Sequence, residues 1–227
     1  MGPMRTTILL AVAMFVVHGA TRPAAAATTV YLNRCTGGCV FTPGPDDSTT
    51  NMSSIVSGTS NLTGFAHGDA VFDATVACIE GLLRPFDIEV TLVDPSPAAH
   101  TELVLAGTPQ QAGFPSGTAG VAPFSCGYVA GAPAFVFANL IGPDASGICW
   151  VAGSQLGALA GIEPLFNCPD VTSYLTGCGE KSYRNEDSQC GTFSATSCTC
   201  GGTTKNSFAI MRAVFGAADL LFGDGFE

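Results

Sequence analysis

Apolar and polar positions follow different periods along this chain, and each period predicts an element. Residues 28–34, TTVYLNR, alternate well enough to form a first strand. In residues 69–83 the apolar side chains fall at Val71, Phe72, Val76, Ile79, Leu82 and Leu83. That spacing predicts a helix with Asp69 as its N-cap, stopped by Arg84-Pro85. Residues 87–93 alternate with period two, and residues 101–105 and 134–138 are two further short strands. Residues 149–161, CWVAGSQLGALAG, are apolar throughout, and their length fits a buried helix. A last helix is expected over residues 207–215. Loops rich in Gly, Pro, Ser and Asp separate these pieces at residues 35–51 and 107–131. Residues 162–206 have little periodicity but hold five of the chain's ten cysteines, so cross-links are expected to order them. Neither an internal repeat nor a long linker interrupts the pattern, which predicts a single domain.

The chain starts with a short basic segment, an uncharged apolar run over residues 6–17, and then HGATRPAAAA, which ends in small residues. This is the pattern of a secretory signal peptide, residues 1–27, cleaved near Ala26 or Ala27. The run is shorter than the roughly 20 residues a membrane helix requires, and the mature part offers no span of its own. The expected location is therefore secreted or extracytoplasmic: periplasm, cell surface or extracellular space. The mature domain covers residues 28–218, with its disulfide-rich part at 162–206, and an acidic tail, DLLFGDGFE, follows at 219–227. All ten cysteines lie in the mature part: Cys35, Cys39, Cys78, Cys126, Cys149, Cys168, Cys178, Cys190, Cys198 and Cys200. With an export signal, an even number of cysteines predicts disulfides. Cys35 and Cys39 are near enough to close a small loop, and the other pairings stay open. The competing reading of Cys198-Thr199-Cys200 is a zinc knot.

Composition narrows the function. At 47% hydrophobic residues the chain has enough apolar material for a core, which excludes a disordered chain. The net charge of −10 becomes more negative once Arg5 and Arg22 leave with the signal, so no nucleic acid is expected as a partner. The chain has no His-Glu-x-x-His, no Gly-x-Ser-x-Gly and no phosphate loop. Two histidines remain in the mature part, His67 and His100. With Glu163, and with Asp170 or Asp187, they are the candidates for a non-standard metal set. Two acidic groups, Asp46, Asp47 and Asn51, and Asn185, Glu186 and Asp187, are read as exposed turns before calcium sites.

The stretch from Val151 to Gly202 resembles the secreted bacterial metzincin-like zinc metalloproteases. Their active helix reads His-Glu-x-Gly-His-x-x-Gly-Leu-x-His and is followed by a Met-turn of the form Asp-Pro-Met-Ser/Thr-Tyr. Gly157 and Gly161 set the register of the match. The resemblance then puts the three zinc histidines at Ser154, Ala158 and Pro164 and the catalytic glutamate at Gln155. Asp170 and Tyr174 match the ends of the Met-turn, with its proline and methionine at Val171 and Thr172. Similar pieces recur in TSYLTGCGEKS, Cys190-Gly191 and CTCGGTTKNS, and upstream in LNR, PGPDDSTTN, RPFDIEV and the His100 segment.

The resemblance implies an α+β fold, a metzincin-like single domain with a twisted mixed sheet, two main helices and an irregular disulfide-rich C-terminal lobe. It implies no catalysis. Zinc of this kind needs three imidazoles and an open position. Ser154 is a poor ligand, Ala158 and Pro164 have no side-chain donor, and Gln155 cannot accept a proton from water. No catalytic residue and no cofactor is expected. Gly153, Gly157 and Gly161 recur every fourth residue, which bares one helix face to the close approach of another segment. The leading expectation is a catalytically inactive metalloprotease homologue that binds a protein or peptide in the former substrate cleft. The alternatives are a zinc metalloendopeptidase with a non-standard metal site and a structural, exported, disulfide-rich protein.

Overall fold

A computed structural model describes Gly2 and residues 27–218, and it is mixed α+β. The signal segment and the acidic tail lie outside the described residues. Strand β1 (Thr28–Asn33) leads into a small excursion built from β2 (Cys39–Pro43), a 3-10 turn (Ser48–Thr50), β3 (Met52–Ser53) and β4 (Ser60–Leu62). Helix α1 (Asp69–Leu83) follows, then β5 (Ile88–Thr91), β6 (Thr101–Leu105), a second 3-10 turn (Pro109–Ala112), β7 (Gly120–Val121) and β8 (Pro133–Val136). Helices α2 (Ala138–Ile141) and α3 (Ala145–Leu159) come next, and β9 (Ser188–Gln189), β10 (Thr204–Lys205) and α4 (Ser207–Phe215) complete the chain.

The main sheet has the order β5-β1-β6-β8-β7. Its first four strands run parallel, and β7 pairs antiparallel with β8 at one edge. Alternation along the strands divides the core between two faces. Val30, Leu32, Leu103, Leu105, Ala134 and Val136 turn toward α1 and α3. Val104, Phe135 and Phe137 turn the other way, against Phe41, Val56 and Leu62 of the excursion. The excursion is a three-stranded sheet in the order β3-β2-β4. It occupies residues whose Gly, Pro and Asp content reads as irregular loop.

Helix α1 has the predicted bounds, with Phe72, Thr75, Val76, Ile79 and Leu83 buried on one side. Its N-cap, however, is Gly68 at φ 78°, and Asp69 is the first helical residue. The Asp69 carboxylate instead meets Arg34 at 2.8 Å. Helix α3 begins four residues before the apolar stretch that announces it. Asp144 caps it by accepting the Gly147 amide at 3.0 Å. Glycine at Gly161, with φ 83°, ends the helix and allows Gly127 to approach it. The predicted strand at 134–138 starts one residue earlier, at Pro133, and ends two earlier, because Phe137 turns the chain into α2.

All ten cysteines are paired: Cys35–Cys39, Cys78–Cys149, Cys126–Cys200, Cys168–Cys178 and Cys190–Cys198. Cys198 and Cys200 thus belong to two different disulfides, which removes the thiolates that a zinc knot requires. The second bridge joins α1 to α3, and the third ties the loop before β8 to the C-terminal lobe. Among the described residues no helix is long and apolar enough to cross a membrane. Five disulfides fit an extracytoplasmic protein.

Candidate functional site

Helix α3 is the floor of the site. Its Gly153 and Gly157 present bare backbone to the turn at residues 170–174, so that Val171 and Thr172 seat beneath the helix. A Cβ on Gly153 would lie 2.7 Å from Val171 Cγ2, and one on Gly157 2.9 Å from Thr172 Cγ2. Close approach within the chain therefore accounts for this part of the glycine stripe. The turn is held from below by Asp170, which is fully buried. Its carboxylate accepts the Thr172 amide at 2.8 Å, the Thr172 hydroxyl at 2.7 Å, the Arg184 amide and the Ser207 hydroxyl of α4. Tyr183 donates to the Gly153 carbonyl at 2.7 Å and ties to α3 the segment whose Ser182 carbonyl accepts the Val171 amide of the turn.

Ser154, Gln155, Ala158, Pro164 and Thr172 come together as walls of one pocket of about 400 Å³. Residues four apart on a helix share a face, so Ser154 and Ala158 look into it side by side. Gly120 and Val121 of β7 form the opposite wall. A Cβ on Gly120 would stand 2.6 Å from Val151 Cγ1 and 3.1 Å from Gln155 Cδ, so glycine is what lets this edge strand lie against α3. A larger groove of about 850 Å³ shares Gly120, Val121, Ser154, Gln155 and Tyr174 with the pocket and continues past Trp150, Val151, Leu175 and Phe193. Three exposed aromatic side chains line this combined cleft: Phe124, Tyr174 and Phe193, the last 76% exposed. Lys181 stands in the groove wall and donates to the carbonyls of Ser173 at 2.6 Å and Leu175 at 2.8 Å.

The donor set of the pocket does not fit a zinc centre of the three-histidine kind. No imidazole lines it, and its carboxylate, Glu163, is already engaged. Glu163 accepts the Thr199 amide at 2.6 Å and the Cys200 amide at 3.2 Å, closing the disulfide-rich lobe onto the end of α3. Burial pushes its pKa up, but the bonds from Thr199 and Cys200 and the nearby Lys205 outweigh burial and hold it below the usual carboxylate range. Glu163 also lies beside Cys190 and Cys198, whose sulfurs are bonded to each other and are no ligands.

The two histidines lie elsewhere. His67 precedes α1, with Nε2 3.0 Å from the Ala138 carbonyl and its ring edge-on to Phe65. His100 is buried at the start of β6, with Nδ1 2.8 Å from the Ala98 carbonyl. Among the described residues, no cluster of three ligand atoms contains either of them. Asp46 and Asp47 are spent within their own turn, on Ser53 and Ser54 and on Thr49 and Thr50 respectively. Glu186 accepts from Asn167, and Asn185 accepts from Asn206.

Sequence reasoning passed over β7, Trp150 and two of the rim aromatics, Phe124 and Phe193; it singled out Tyr174 only as the end of the Met-turn. A two-residue strand has no readable period, and single aromatics in loops announce no partner. Gly120 lies in the run GTAGV within a Gly-rich loop, which reads as a turn. Compared with known proteins, the chain matches no protein-family model and no curated protein.

Proposed function

We propose that this chain is a secreted, catalytically silent relative of the metzincin-like metalloproteases that holds a peptide or protein segment in the former substrate cleft. The observation that carries the reading is the convergence of Ser154, Gln155, Ala158, Pro164 and Thr172 on one open pocket. The register of the resemblance assigns those five positions to the zinc ligands, the base and the Met-turn methionine, and they meet in space without a ligand set. The mixed sheet with two 15-residue helices on one face, and the turn at 170–174 seated under the second helix, support the scaffold half of the reading. For the binding half, the cleft has an edge strand on one side, from which main-chain hydrogen bonds extend naturally to an added strand. Its apolar lining and aromatic rim are suited to side chains of that segment.

Peptides selected from a displayed random library test the binding half, with Trp150 fluorescence as the readout, since Trp150 is the chain's single tryptophan and lines the groove. Selected peptides bind the wild type intact, and Ser154→Phe, which fills the pocket and leaves Trp150 the single tryptophan, weakens them at least tenfold. Chelator-sensitive cleavage of those peptides overturns the proposal, and so does unchanged binding by Ser154→Phe.

A further inference from the structure

Alone among the ten cysteines, Cys126 is exposed; its partner Cys200 is half-buried, and the residues of every other bridge are half-buried or buried. Cys126 sits in the connection between β7 and β8, two residues after Phe124, which with Ala122 lines the pocket. Cys200 follows Thr199, which lines the same pocket from the disulfide-rich lobe. The bridge therefore joins two walls of one pocket whose cysteines lie 74 positions apart in the chain.

The two walls are secured unequally. Before the connecting loop, Val121 pairs with Phe135. After it, the Tyr128 hydroxyl meets Thr101 Oγ1 at 2.9 Å and the Val129 amide donates to the Leu159 carbonyl at 2.8 Å. Between these points, among the described residues, no hydrogen bond joins residues 123–127 to the rest of the chain, and Ser125 and Gly127 bond only each other. Pro123 is buried, and Gly127 lies against the end of α3, where a Cβ on Gly161 would stand 3.1 Å from the Gly127 nitrogen. On the lobe side the Thr199 and Cys200 amides donate to Glu163, and Cys198 is bonded to Cys190. Without the Cys126–Cys200 bond the lobe wall keeps its ties, whereas the loop wall rests on packing alone.

We propose that Cys126–Cys200 is a redox-operated staple that holds the Phe124 wall on the pocket while oxidised and releases it when a dithiol reduces it, a control that rests on reading this pocket as a peptide site. Thiol–disulfide exchange requires access to one sulfur, and exposure selects this bridge. A thiolate of the dithiol attacks Sγ of Cys126, the S–S bond breaks, and Cys200 leaves as a thiolate. The second thiol of the dithiol then attacks the mixed disulfide and frees Cys126. The dithiol ends as its own disulfide, having given two electrons to the bridge and, through solvent, its two protons to the cysteines. The oxidised dithiol runs the same exchange backwards.

Graded dithiothreitol on the folded mature chain, quenched by alkylation and mapped by mass spectrometry, gives the order in which the bridges open. Cys126 and Cys200 are labelled first, with the other four bridges intact. In that selectively reduced protein, amide exchange of residues 122–128 quickens while α1 and β1 are unchanged. Peptides selected on the oxidised chain bind it about tenfold more weakly, the weight of one aromatic contact, and reoxidation restores both readouts. Cys126→Ser with Cys200→Ser behaves as the reduced form whatever the redox buffer; should it fail to fold, the reduced wild type decides. Another bridge opening first overturns the proposal, and so does unchanged exchange or unchanged affinity after selective reduction. An oxidised chain that yields no peptide binder refutes the proposed function, and the alkylation order with the exchange of residues 122–128 then still decides for or against the staple.

Discussion

Asp170 ties the turn beneath α3 to the Arg184 backbone and to Ser207 on α4 through four hydrogen bonds, while fully buried. Its replacement by alanine strands those donors in the interior, so Asp170→Ala costs about 3 kcal/mol or more, read by urea unfolding. Glu163 is the milder case, at the edge of its lobe. Glu163→Ala removes the acceptor of two backbone amides and costs about 2 kcal/mol. The two perturbed glutamates impose opposite pH dependences on stability. Glu163, held below the usual range, stabilises the fold above the unfolded pKa of about 4.3, and that share is lost as pH falls through its lower folded value. Glu102, raised by burial to about 7, has its contribution complete below about 4.3 and lost as pH rises to about 7. A fall of about 3 kcal/mol across that interval is expected from Glu102, and Glu102→Gln abolishes it in urea titrations at successive pH values. Sequence reasoning located Glu163 beside the third-ligand position but offered it as a metal ligand, because the amides it caps belong to residues 36 and 37 positions further on. Nothing in local spacing announces such a partner.

Helix α3 brings four of the five pocket positions together: Ser154, Gln155 and Ala158 lie on it, and Gly157 seats Thr172 beneath it. Its apolar run was legible, and so was the closeness of approach implied by glycines four apart. Its start was not, since the first turn, Ala145-Ser146-Gly147, is small and polar, and only the Asp144 cap marks it. The four principal strands of the main sheet show in the alternation, whereas the three strands of the excursion depend on tertiary pairing that overrides their Gly, Pro and Asp content. If the scaffold is that of the metzincin-like proteases, restoring the four positions should restore the metal. The variant Ser154→His, Gln155→Glu, Ala158→His, Pro164→His is expected to bind one Co²⁺ with the visible bands of a four- or five-coordinate site. Absence of saturable cobalt binding by the folded variant counts against the register. Gly157→Leu tests the other half of α3, because a large side chain there strikes the turn at Thr172 and costs about 2 kcal/mol or more.

The whole molecule is a sheet with helices on one face and a small β excursion on the other, stapled by bridges of very different span. Cys78–Cys149 and Cys126–Cys200 close loops of 71 and 74 residues, the three others of 4 to 10. Long loops remove more freedom from the unfolded chain, so the double change Cys78→Ala with Cys149→Ala costs roughly 2–4 kcal/mol. Removal of the pair Cys35 and Cys39 should cost less, by the same unfolding assay. The charge balance, 8 basic against 18 acidic residues, leaves the cleft's apolar surface on an acidic body, which favours neutral or basic partners over acidic ones. At this scale the histidine count was the most informative number in the chain, since the two histidines among the described residues, His67 and His100, are fewer than a three-histidine site needs. Metal analysis of the purified protein, after equilibration with excess zinc and removal of the unbound ion, decides whether the site is catalytically silent. Far less than one zinc per chain and no proteolysis of a general protein substrate are expected, and one zinc per chain with chelator-sensitive cleavage refutes the proposed function.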